Sequence, residues 1–564
     1  MGTRLIHRVT LVGFIIIVVS LFYYQIIKGE YFLKRARANY IRVVPQEAIR
    51  GTIMDRNSYI VARDLPVFDI AVVPYQIGKG KKIIINNIAQ FLNISKDKIL
   101  NNYKRNLKSL FSPVEILLDI PKEETLRLKE KFGDDILIKE APQRYYPFSY
   151  ELSHILGYVK QAACFYDELK VYGYTPYERL GFLGLEQYYD SYLRGKNGGK
   201  LIEVDSTGKV VGFLGISHPH RGRDITLTID IRMQQIAYQA LAGYKGVIIL
   251  MDPTTGEIFV FCSQPSYSLN HFIKGINVEE ILKGKDKPII NRGIQASYPL
   301  GSVFKTIVAI AGLEEEKINT KETFNCEEIF SLGGYKFGCW SRHGRQNLHE
   351  GIVHSCNVYF YNLGLRIGID ILSSWAKKFG LGQVSGIDLP YEKKGLVPDA
   401  NWKLKNKKSS WFTGDTLNTS IGQGYLEATP LQVLVAISVF ANGGYIIRPH
   451  LLKRVEDLES TFISKDFLNI SASNLRIVRE ALKDAVIRSD GTAHLLESLK
   501  LGIAGKTGTA QTVGKPHAWF LGFFPFNNPR YSICVFLENA GSSFEALKVT
   551  HGFLEKLKEK KLID

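Results

Sequence analysis

Residues 298–317 read YPLGSVFKTIVAIAGLEEEK and place a serine, Ser302, three positions before a lysine, Lys305. On a helix this spacing puts both side chains on one face. Pro299 and Gly301 predict a helix start, so Ser302 falls in the first turn, where exposed amides favour a developing oxyanion. The rest of the segment is apolar almost all round, which predicts burial. Burial disfavours the charge of Lys305 and lowers its pKa, which makes Lys305 a candidate general base for the serine.

This pair alone is weak evidence, because the same spacing recurs at places where a surface serine near a lysine is the simpler interpretation: Ser95/Lys98, Ser206/Lys209 and Ser374/Lys377. Two further motifs single out Ser302. Ser355, Cys356 and Asn357 form a Ser-x-Asn group, and GIAGKTGTAQ at residues 502–511 holds the only Lys-Thr-Gly of the sequence.

The Lys-Thr-Gly segment contains groups suited to substrate binding. Lys506 supplies a cation, and Thr507 follows it. Gly508 would let a substrate backbone approach a strand closely. The amide of Thr509 could face an oxyanion. A turn is the simpler interpretation of Lys-Thr-Gly, but the apolar AWFLGF at residues 518–523 favours a sheet strand.

The order S-x-x-K, S-x-N, K-T-G is the signature of penicillin-binding proteins and class A β-lactamases. The sequence resembles the penicillin-binding protein transpeptidases well beyond these motifs. RGTIMDRN, APQRYYPFSYELSHILGYV and GFLGLEQYYDSYLRG resemble the N-terminal pedestal of the class B, monofunctional members. MDPTTGEI, GLVPD, TSIGQGYLEATPLQ and AWFLGF resemble their catalytic domain. Among class B members the similarity is greatest to the cell-elongation type.

Length and hydropathy predict the domains. A chain of 564 residues is too long for one core. Residues 9–27 carry no charge, and as a helix they would span about 28 Å, roughly the hydrocarbon thickness of a bilayer. An uncleaved anchor is favoured over a signal peptide, whose apolar core is normally shorter. Residues 81–140 are lysine-rich and predict helices. Strand-like runs at both ends of the C-terminal part, around a helical middle, predict a sheet with packed helices.

We therefore predict an α+β chain in four parts. Residues 1–8 form a short cytoplasmic tail, and residues 9–27 form a single transmembrane helix. Residues 28–224 form a mixed pedestal domain. Residues 225–564 form the penicillin-binding, serine-transpeptidase fold: an antiparallel sheet with packed helices plus a helical lobe.

The net charge of +17 raises the possibility of nucleic-acid binding. The lysines and arginines are scattered, however, without a basic helix or a familiar nucleic-acid module. A basic domain beside an anionic surface explains the charge better. Positive charges flank the apolar run on both sides, so counting them does not decide its orientation.

The resemblance implies a peptidoglycan D,D-transpeptidase that acts on nascent stem peptides ending in D-Ala-D-Ala. Ser302 would be acylated, with Lys305 as base, Ser355 as proton relay, Asn357 binding the peptide and Lys506 lending positive potential. The amides of Ser302 and Thr509 would form the oxyanion hole. β-Lactams would acylate Ser302, and D,D-carboxypeptidase hydrolysis would be a side reaction.

The same resemblance implies a place for the protein in the cell. The catalytic domain would lie outside the cytoplasmic membrane. The implied partners are a glycosyltransferase of the SEDS family, contacted through the anchor and pedestal, and other membrane proteins of the elongation complex.

Three related classes fit less well. A class A β-lactamase would need a Glu-x-x-Leu-Asn element, but Gly414 stands where the glutamate should precede Leu417 and Asn418. A β-lactam sensor would carry several spans and an intracellular output domain. A bifunctional class A protein would need about 200 residues of glycosyltransferase where the pedestal motifs lie.

Four residues around the second motif predict a metal site or a disulfide. Cys326, Cys339, His343 and Cys356 follow the spacing C-x12-C-x3-H-x12-C, around a glycine-rich loop with few apolar residues to fold around. A Cys326–Cys339 disulfide is the simpler candidate outside the membrane. A tetrahedral zinc uses all four residues. Some elongation-type class B proteins carry zinc in this segment, with carboxylate, histidine and cysteine ligands; here cysteines would replace the carboxylates.

The remaining cysteines, Cys164, Cys262 and Cys534, are predicted to be inert. In the pedestal, RGTIMDRN by itself predicts a turn between strands, with Arg50 and Asp55 paired across it. By resemblance it belongs to the segment that couples transpeptidase to polymerase. We therefore predict that changes in Arg50 or Asp55 disturb activation by the partner while penicillin binding persists.

Overall fold

The structure is a computed structural model that describes residues 2–78, 81–107, 113–161, 179–205, 210–459 and 464–563. Its N-terminal α-helix, Gly2–Phe22, continues into a π-helical turn, Tyr23–Ile27, and a second helix, Gly29–Tyr40, follows. In the described part of the chain, this first continuous helix of 26 residues is the one long and apolar enough to cross a membrane. The predicted span at residues 9–27 lies within it.

The pedestal is built on two antiparallel units and a mixed sheet. Three strands pair in the order Ile41–Gln46, Gly198–Val204, Val210–Ser217. Tyr158–Gln161 pairs with Arg179–Phe182. The helices of this part are Pro74–Ile77, Lys81–Phe91, Lys96–Asn106, Lys122–Phe132, Ser153–Leu156, Gly184–Tyr188 and Asp190–Leu193.

A seven-stranded sheet joins the pedestal to the C-terminal part. Its order is Leu458–Glu459, Leu452–Val455, Ile225–Leu227, Ile53–Met54, Ile60–Val72, Val114–Ile120, and Leu137–Tyr145 also pairs with Ile60–Val72. Ile225–Leu227 is the first strand after residue 224. It pairs with Ile53–Met54, which precedes residue 224, and with Leu452–Val455, which follows it. The lysine-rich region at residues 81–140, predicted to be helical, contains two of these strands between its helices.

The RGTIMDRN turn differs from its prediction, because Arg50 and Asp55 are not paired. Arg50 is buried and binds Glu186 and Asp190, 136 and 140 residues away in the chain. Asp55 instead accepts hydrogen bonds from the backbone of its own turn and from the amide of Ile231 at 3.1 Å. The turn thus connects the pedestal to the first helix of the C-terminal domain.

The C-terminal domain centres on a five-stranded antiparallel sheet in the order Ile258–Gln264, Gly246–Met251, Tyr531–Leu537, His517–Phe524, Ala504–Ala510. Helices Ile231–Ala240 and Ser543–Glu559 share a core with one face of this sheet. On the other face lie the apolar helix Pro430–Ala441 and the helices Lys305–Glu314 and Ala472–Ile487. The predicted α+β fold is confirmed.

A helical lobe lies between the strands of this sheet in sequence, as predicted. Its helices are Leu348–Val353, Asn357–Ile367, Ile369–Lys378, Ala400–Lys407 and Thr413–Ser420, and two short helices, Leu269–Lys274 and Val278–Lys283, precede the lobe. Two-stranded units join Phe324–Cys326 to Gly344–Gln346, Ile329–Leu332 to Tyr335–Gly338, and Tyr445–Ile447 to Lys465–Phe467.

Candidate active site

The serine lies at the start of a buried helix, as predicted. A 3₁₀ turn, Gly301–Phe304, carries Ser302 and leads directly into Lys305–Glu314. Gly301 has a φ of +59°, and a Cβ there would lie 2.6 Å from the carbonyl oxygen of Thr509. Gly422 has a φ of +73°, and its Cβ would lie 2.1 Å from the carbonyl oxygen of Gly301. Only glycine fits at these two positions, so the backbone holds the serine turn against its neighbours.

Lys305 is the centre of the polar contacts around the serine. Its side chain is 0% exposed, and its Nζ donates to the carbonyl oxygen of Ser355 at 2.7 Å and to Oδ1 of Asn357 at 2.7 Å. The Ser355 hydroxyl lies 3.3 Å from the same Nζ. Burial lowers the pKa of Lys305 to about 8. Within the described residues the Ser302 hydroxyl makes no hydrogen bond, so this oxygen is free to meet a substrate.

The second motif is held in a fixed orientation. Ser355 has a φ of +54°, an unusual backbone conformation for a residue with a side chain. Asn357 begins the helix Asn357–Ile367, and its Nδ2 donates to the carbonyl oxygen of Gly338 at 3.1 Å. Because its Oδ1 accepts from Lys305, both ends of the carboxamide are engaged. Asn357 therefore fixes the position of the lysine.

The third motif forms the edge strand Ala504–Ala510. Lys506 is buried, and its Nζ donates to the carbonyl oxygen of Thr507 at 3.0 Å. Burial, together with repulsion from Lys305, holds the pKa of Lys506 well below its usual range. Gly508 also allows a close approach within the protein, while its predicted role towards a substrate backbone stays a prediction. A Cβ there would lie 2.9 Å from Cγ1 of Val303, so the absence of a side chain lets the serine turn lie against this strand.

These elements enclose a cleft of about 700 Å³. Five residues predicted to act in the site line it together: Ser302, Ser355, Asn357, Thr507 and Thr509. Lys305 and Lys506 lie buried behind the wall. The cleft is also lined by residues that the sequence did not single out: Lys336, Phe337, Trp340, Tyr361, Asn418, Gln423, Thr492, Gln511 and Ser543. Gln423 and Gln511 stand in TSIGQG and GIAGKTGTAQ, two segments already noted, and Asn418 was considered only in the comparison with class A β-lactamases. The others carry no sequence signal of their own.

The four predicted metal ligands form one cluster behind the second motif. The sulfur atoms of Cys326, Cys339 and Cys356 and a ring nitrogen of His343 all lie within 4.8 Å of one another. Nδ1 of His343 is 3.6 Å from the Cys326 sulfur and 3.5 Å from the Cys339 sulfur. Zinc–sulfur and zinc–nitrogen bonds of about 2.3 and 2.1 Å at a tetrahedral angle put these atoms about 3.6 Å apart. The residues therefore fit a tetrahedral zinc.

The thiols of this cluster are not joined in disulfides. A hydrogen bond from the thiol of Cys356, together with backbone amides including that of Asn357, lowers the pKa of Cys339 to about 4. A thiolate is the form that binds a metal. Cys262 and Cys534 are buried in strands of the central sheet, where burial raises their pKa values. Cys164 lies outside the described residues.

Comparison with known proteins identifies both parts of the chain. Residues 246–557 match the family model described as "Penicillin binding protein transpeptidase domain". Residues 45–227 match "Penicillin-binding Protein dimerisation domain". The chain is 32% identical to the peptidoglycan D,D-transpeptidase MrdA of Acinetobacter baumannii, over 92% of the chain and 81% of that protein.

Solved structures show the same architecture. The penicillin-binding protein PBP2 of Helicobacter pylori, in complex with MreC, is 32% identical with a TM-score of 0.83, over 93% of this chain and 100% of that one. PBP2 of Pseudomonas aeruginosa, in complex with WCK 5153, is 28% identical with a TM-score of 0.69, over 91% and 96%. A chain of a peptidoglycan synthase complex is 27% identical with a TM-score of 0.73, over 98% of each.

Proposed function

This chain belongs to the class B members of the penicillin-binding protein transpeptidase family, and we propose that Ser302 is the residue at which it is acylated. It is a serine-type peptidoglycan D,D-transpeptidase of the elongation type. The observation that carries the residue assignment is the buried Lys305, which lies one helical turn from Ser302 and is hydrogen-bonded to the second motif.

In the first step Ser302 Oγ attacks the carbonyl carbon of the penultimate D-alanine, and its proton passes to the neutral amine of Lys305. The lowered pKa of Lys305 supports this role, because an appreciable fraction of the amine is neutral near pH 7 to 8. The amides of Ser302 and Thr509 stabilise the oxyanion, since Gly301 holds the serine turn against the carbonyl of Thr509.

In the second half of this step the C–N bond breaks and D-alanine leaves. Lys305 Nζ contacts the Ser355 hydroxyl, which gives the proton a path to the leaving nitrogen. Lys506 gains a partner when the terminal carboxylate of the donor binds beside it, and that carboxylate favours its charged form. An amine from a neighbouring stem peptide then attacks the acyl-enzyme to form the cross-link. Water in place of the amine gives the carboxypeptidase side reaction.

Labelling with a fluorescent penicillin tests the assignment on detergent-purified full-length protein. Ser302→Ala should abolish the label. Ser374→Ala is a matched control, because Ser374 is exposed on a helix and has the same spacing to Lys377, which binds Asp399. Label that survives Ser302→Ala would refute the assignment, and rapid turnover of the drug would indicate a β-lactamase.

We also propose a structural zinc held by Cys326, Cys339, His343 and Cys356. When bound, the metal would tie together the segments that lead into the second motif; it takes no part in the reaction. Protein made without a polyhistidine tag should contain about one zinc per chain. Cys356→Ser should lose both metal and acylation, whereas Cys262→Ala should keep the metal. A metal-free, fully active protein with Cys326 bonded to Cys339 would exclude the site.

The location and the partners follow from the same activity. The catalytic domain would lie outside the cytoplasmic membrane, where the donor peptide is, with the N-terminal apolar helix as its anchor. A SEDS-family glycosyltransferase and other membrane proteins of the elongation complex would bind the anchor and pedestal. Support comes from the relatives solved with MreC and in a peptidoglycan synthase complex. Replacing residues 2–27 by an unrelated span should abolish co-purification of the polymerase and leave penicillin acylation unchanged.

A further inference from the structure

A β-hairpin stands at one wall of the catalytic cleft. It consists of Ile329–Leu332 and Tyr335–Gly338, joined by two glycines. The carbonyl oxygen of Gly338 accepts from Nδ2 of Asn357 and from the hydroxyl of Tyr361, each at 3.1 Å. The end of the hairpin is therefore fixed to the helix that carries the second catalytic motif.

The hairpin also contacts a second helix that lines the cleft. The ring of Phe337 lies against Gly414, where an added Cβ would be 3.4 Å from Cζ of the phenylalanine. Gly414 belongs to the helix Thr413–Ser420, which carries Asn418 into the cleft. Contacts with two helices therefore hold the hairpin in place at the mouth of the cleft.

Lys336, between Tyr335 and Phe337 on this hairpin, is the one lysine, arginine, aspartate or glutamate among the described residues that line the cleft. Its side chain is exposed, and within the described part of the chain its ammonium group makes no hydrogen bond or ion pair. The nearby Arg342, by contrast, is paired with Glu327. The mouth of the cleft therefore presents an uncompensated positive charge to whatever enters.

Strand geometry places Lys336 close to the second motif. Lys336 precedes Gly338 by two residues, about 7 Å along a strand, and Gly338 contacts Asn357. An extended peptide residue spans about 3.5 Å, so the residue before D-Ala-D-Ala lies about one to two such lengths from the attacked carbonyl. A lysine side chain is long and flexible enough to reach a group on that residue.

We propose that Lys336 is a specificity-determining residue that binds a free carboxylate on the side chain of the donor residue preceding D-Ala-D-Ala. The substrate class is then a stem peptide whose third residue is a diamino acid bearing a carboxylate, as opposed to one with an amine alone. This inference rests on the proposed function, since it assumes that the donor binds along the cleft with Ser302 at its carbonyl. A lysine that is merely solvated is the simpler account, and the experiment separates the two.

The test uses two penicillins that differ by one carboxylate in the side chain that occupies the place of the third residue: benzylpenicillin and its α-carboxy derivative, carbenicillin. Acylation rate constants are measured on full-length protein for the wild type and for Lys336→Gln, Lys336→Glu and Lys336→Arg. Lys321→Glu is the matched charge control, because Lys321 is exposed and does not line the cleft.

The expected readout is the ratio of the carbenicillin rate to the benzylpenicillin rate. It should fall about threefold in Lys336→Gln and about tenfold in Lys336→Glu, as for an exposed ion pair, while Lys336→Arg keeps the wild-type ratio. The effect should shrink at 0.5 M salt. A peptide that competes with the penicillin should protect Ser302 from acylation less well in Lys336→Glu than in the wild type. This loss of protection should be larger for a peptide with diaminopimelate as its third residue than for one with lysine.

Two results would overturn the inference. The first is an unchanged carbenicillin-to-benzylpenicillin ratio in Lys336→Glu with normal benzylpenicillin acylation. The second is an equal fall of this ratio in Lys321→Glu, which would show that only the overall charge of the protein matters. Absence of acylation in the wild type would instead refute the proposed function itself. Normal benzylpenicillin acylation in each variant also shows that the variant is folded.

Discussion

Removal of Arg50 should open the pedestal and spare the catalytic centre. Arg50 Nε lies 2.5 Å from Glu186 Oε2, its Nη1 lies 2.8 Å from Asp190, and its Nη2 donates to the carbonyl of Glu186. On its other oxygen Glu186 accepts from Arg144 at 2.6 Å and from Tyr146. This buried network joins RGTIMDRN to segments around residues 144 and 186–190.

The magnitude follows from burial. Burial by itself would raise the pKa of Glu186, but the charges of Arg144 and Arg50 outweigh it and hold that pKa below its ordinary value. In Arg50→Ala, Asp190 loses the guanidinium of Arg50, and Glu186 loses one of the two arginines that contact it. Breaking a buried ion pair by removing one partner costs about 3–5 kcal/mol. A surface pair costs about 0–1 kcal/mol, so Arg221→Ala is a matched control, because Arg221 binds Asp224 in the same domain but is half exposed.

Hydrogen exchange measured by mass spectrometry can localise the loss. All five tryptophans lie at or after residue 340, so their fluorescence reports only the catalytic domain. Peptides covering Ile60–Val72 and Leu137–Tyr145 report the pedestal. A loss of 3–5 kcal/mol should speed exchange in these strands by about two to nearly four orders of magnitude. Arg50→Lys, which keeps the charge but cannot form the same fork of contacts, should fall between.

The reasoning would be wrong if Arg50→Ala and Arg221→Ala changed pedestal exchange equally. It would also fail if exchange in Arg50→Ala rose first in the catalytic sheet. Activation by the polymerase should fall in Arg50→Ala because the pedestal no longer holds its shape, while penicillin acylation stays near normal. The structure thus gives a physical reason for the expected separation of the two properties at Arg50.

Two further predictions concern the catalytic centre. The acylation rate constant should rise about tenfold per pH unit up to about pH 8 and then level off. The reason is that only the neutral amine of Lys305 accepts the serine proton, and burial lowers the pKa of this amine to about 8. A rate constant that does not change between pH 6 and 9 would exclude Lys305 as the base. Gly422→Ala should slow acylation about 100-fold or more, because a Cβ there meets the carbonyl of Gly301 and shifts the oxyanion turn. Gly443→Ala is the control and should leave the rate unchanged, because Gly443 also has a positive φ but faces open space. Equal acylation rates in the two variants, measured by stopped-flow with a chromogenic β-lactam, would contradict this view of the turn.

The sequence predicts the catalytic cleft well because its motifs encode local structure. The spacing of Ser302 and Lys305 and the apolar helix after them determine which side chains face each other. Partners distant in sequence leave no such trace. Asp55 is the nearest acid in the RGTIMDRN segment, yet Arg50 binds Glu186 and Asp190, because long-range packing brings those acids to it. The sequence also does not predict the strands Val114–Ile120 and Leu137–Tyr145, because the lysine-rich sequence around them favours helix over strand.

The glycine-rich segment after Cys326 also folds differently from its prediction. Few apolar residues predict a loop that needs external support, and the structure instead folds residues 329–338 as a hairpin. Gly333 and Gly334 have φ values of +56° and +82°, as a two-residue hairpin turn requires. The signal was present in the pair of glycines, but the side chains that secure the hairpin, Asn357 and Tyr361, lie about twenty residues further on.

The position of Cys356 between two catalytic residues then has a structural explanation. Ser355 and Asn357 face Lys305, whereas the Cys356 sulfur points into the ligand cluster and accepts the amide of Tyr359 at 3.4 Å to begin the helix. Asn357 is also bound twice to the neighbouring ligand segment, by its amide to the Cys339 sulfur and by its Nδ2 to the carbonyl of Gly338. Any movement of Cys339 is therefore transmitted to the carboxamide that holds the catalytic lysine. A group that fixes the cysteines would for this reason control the geometry of the base without contacting the substrate.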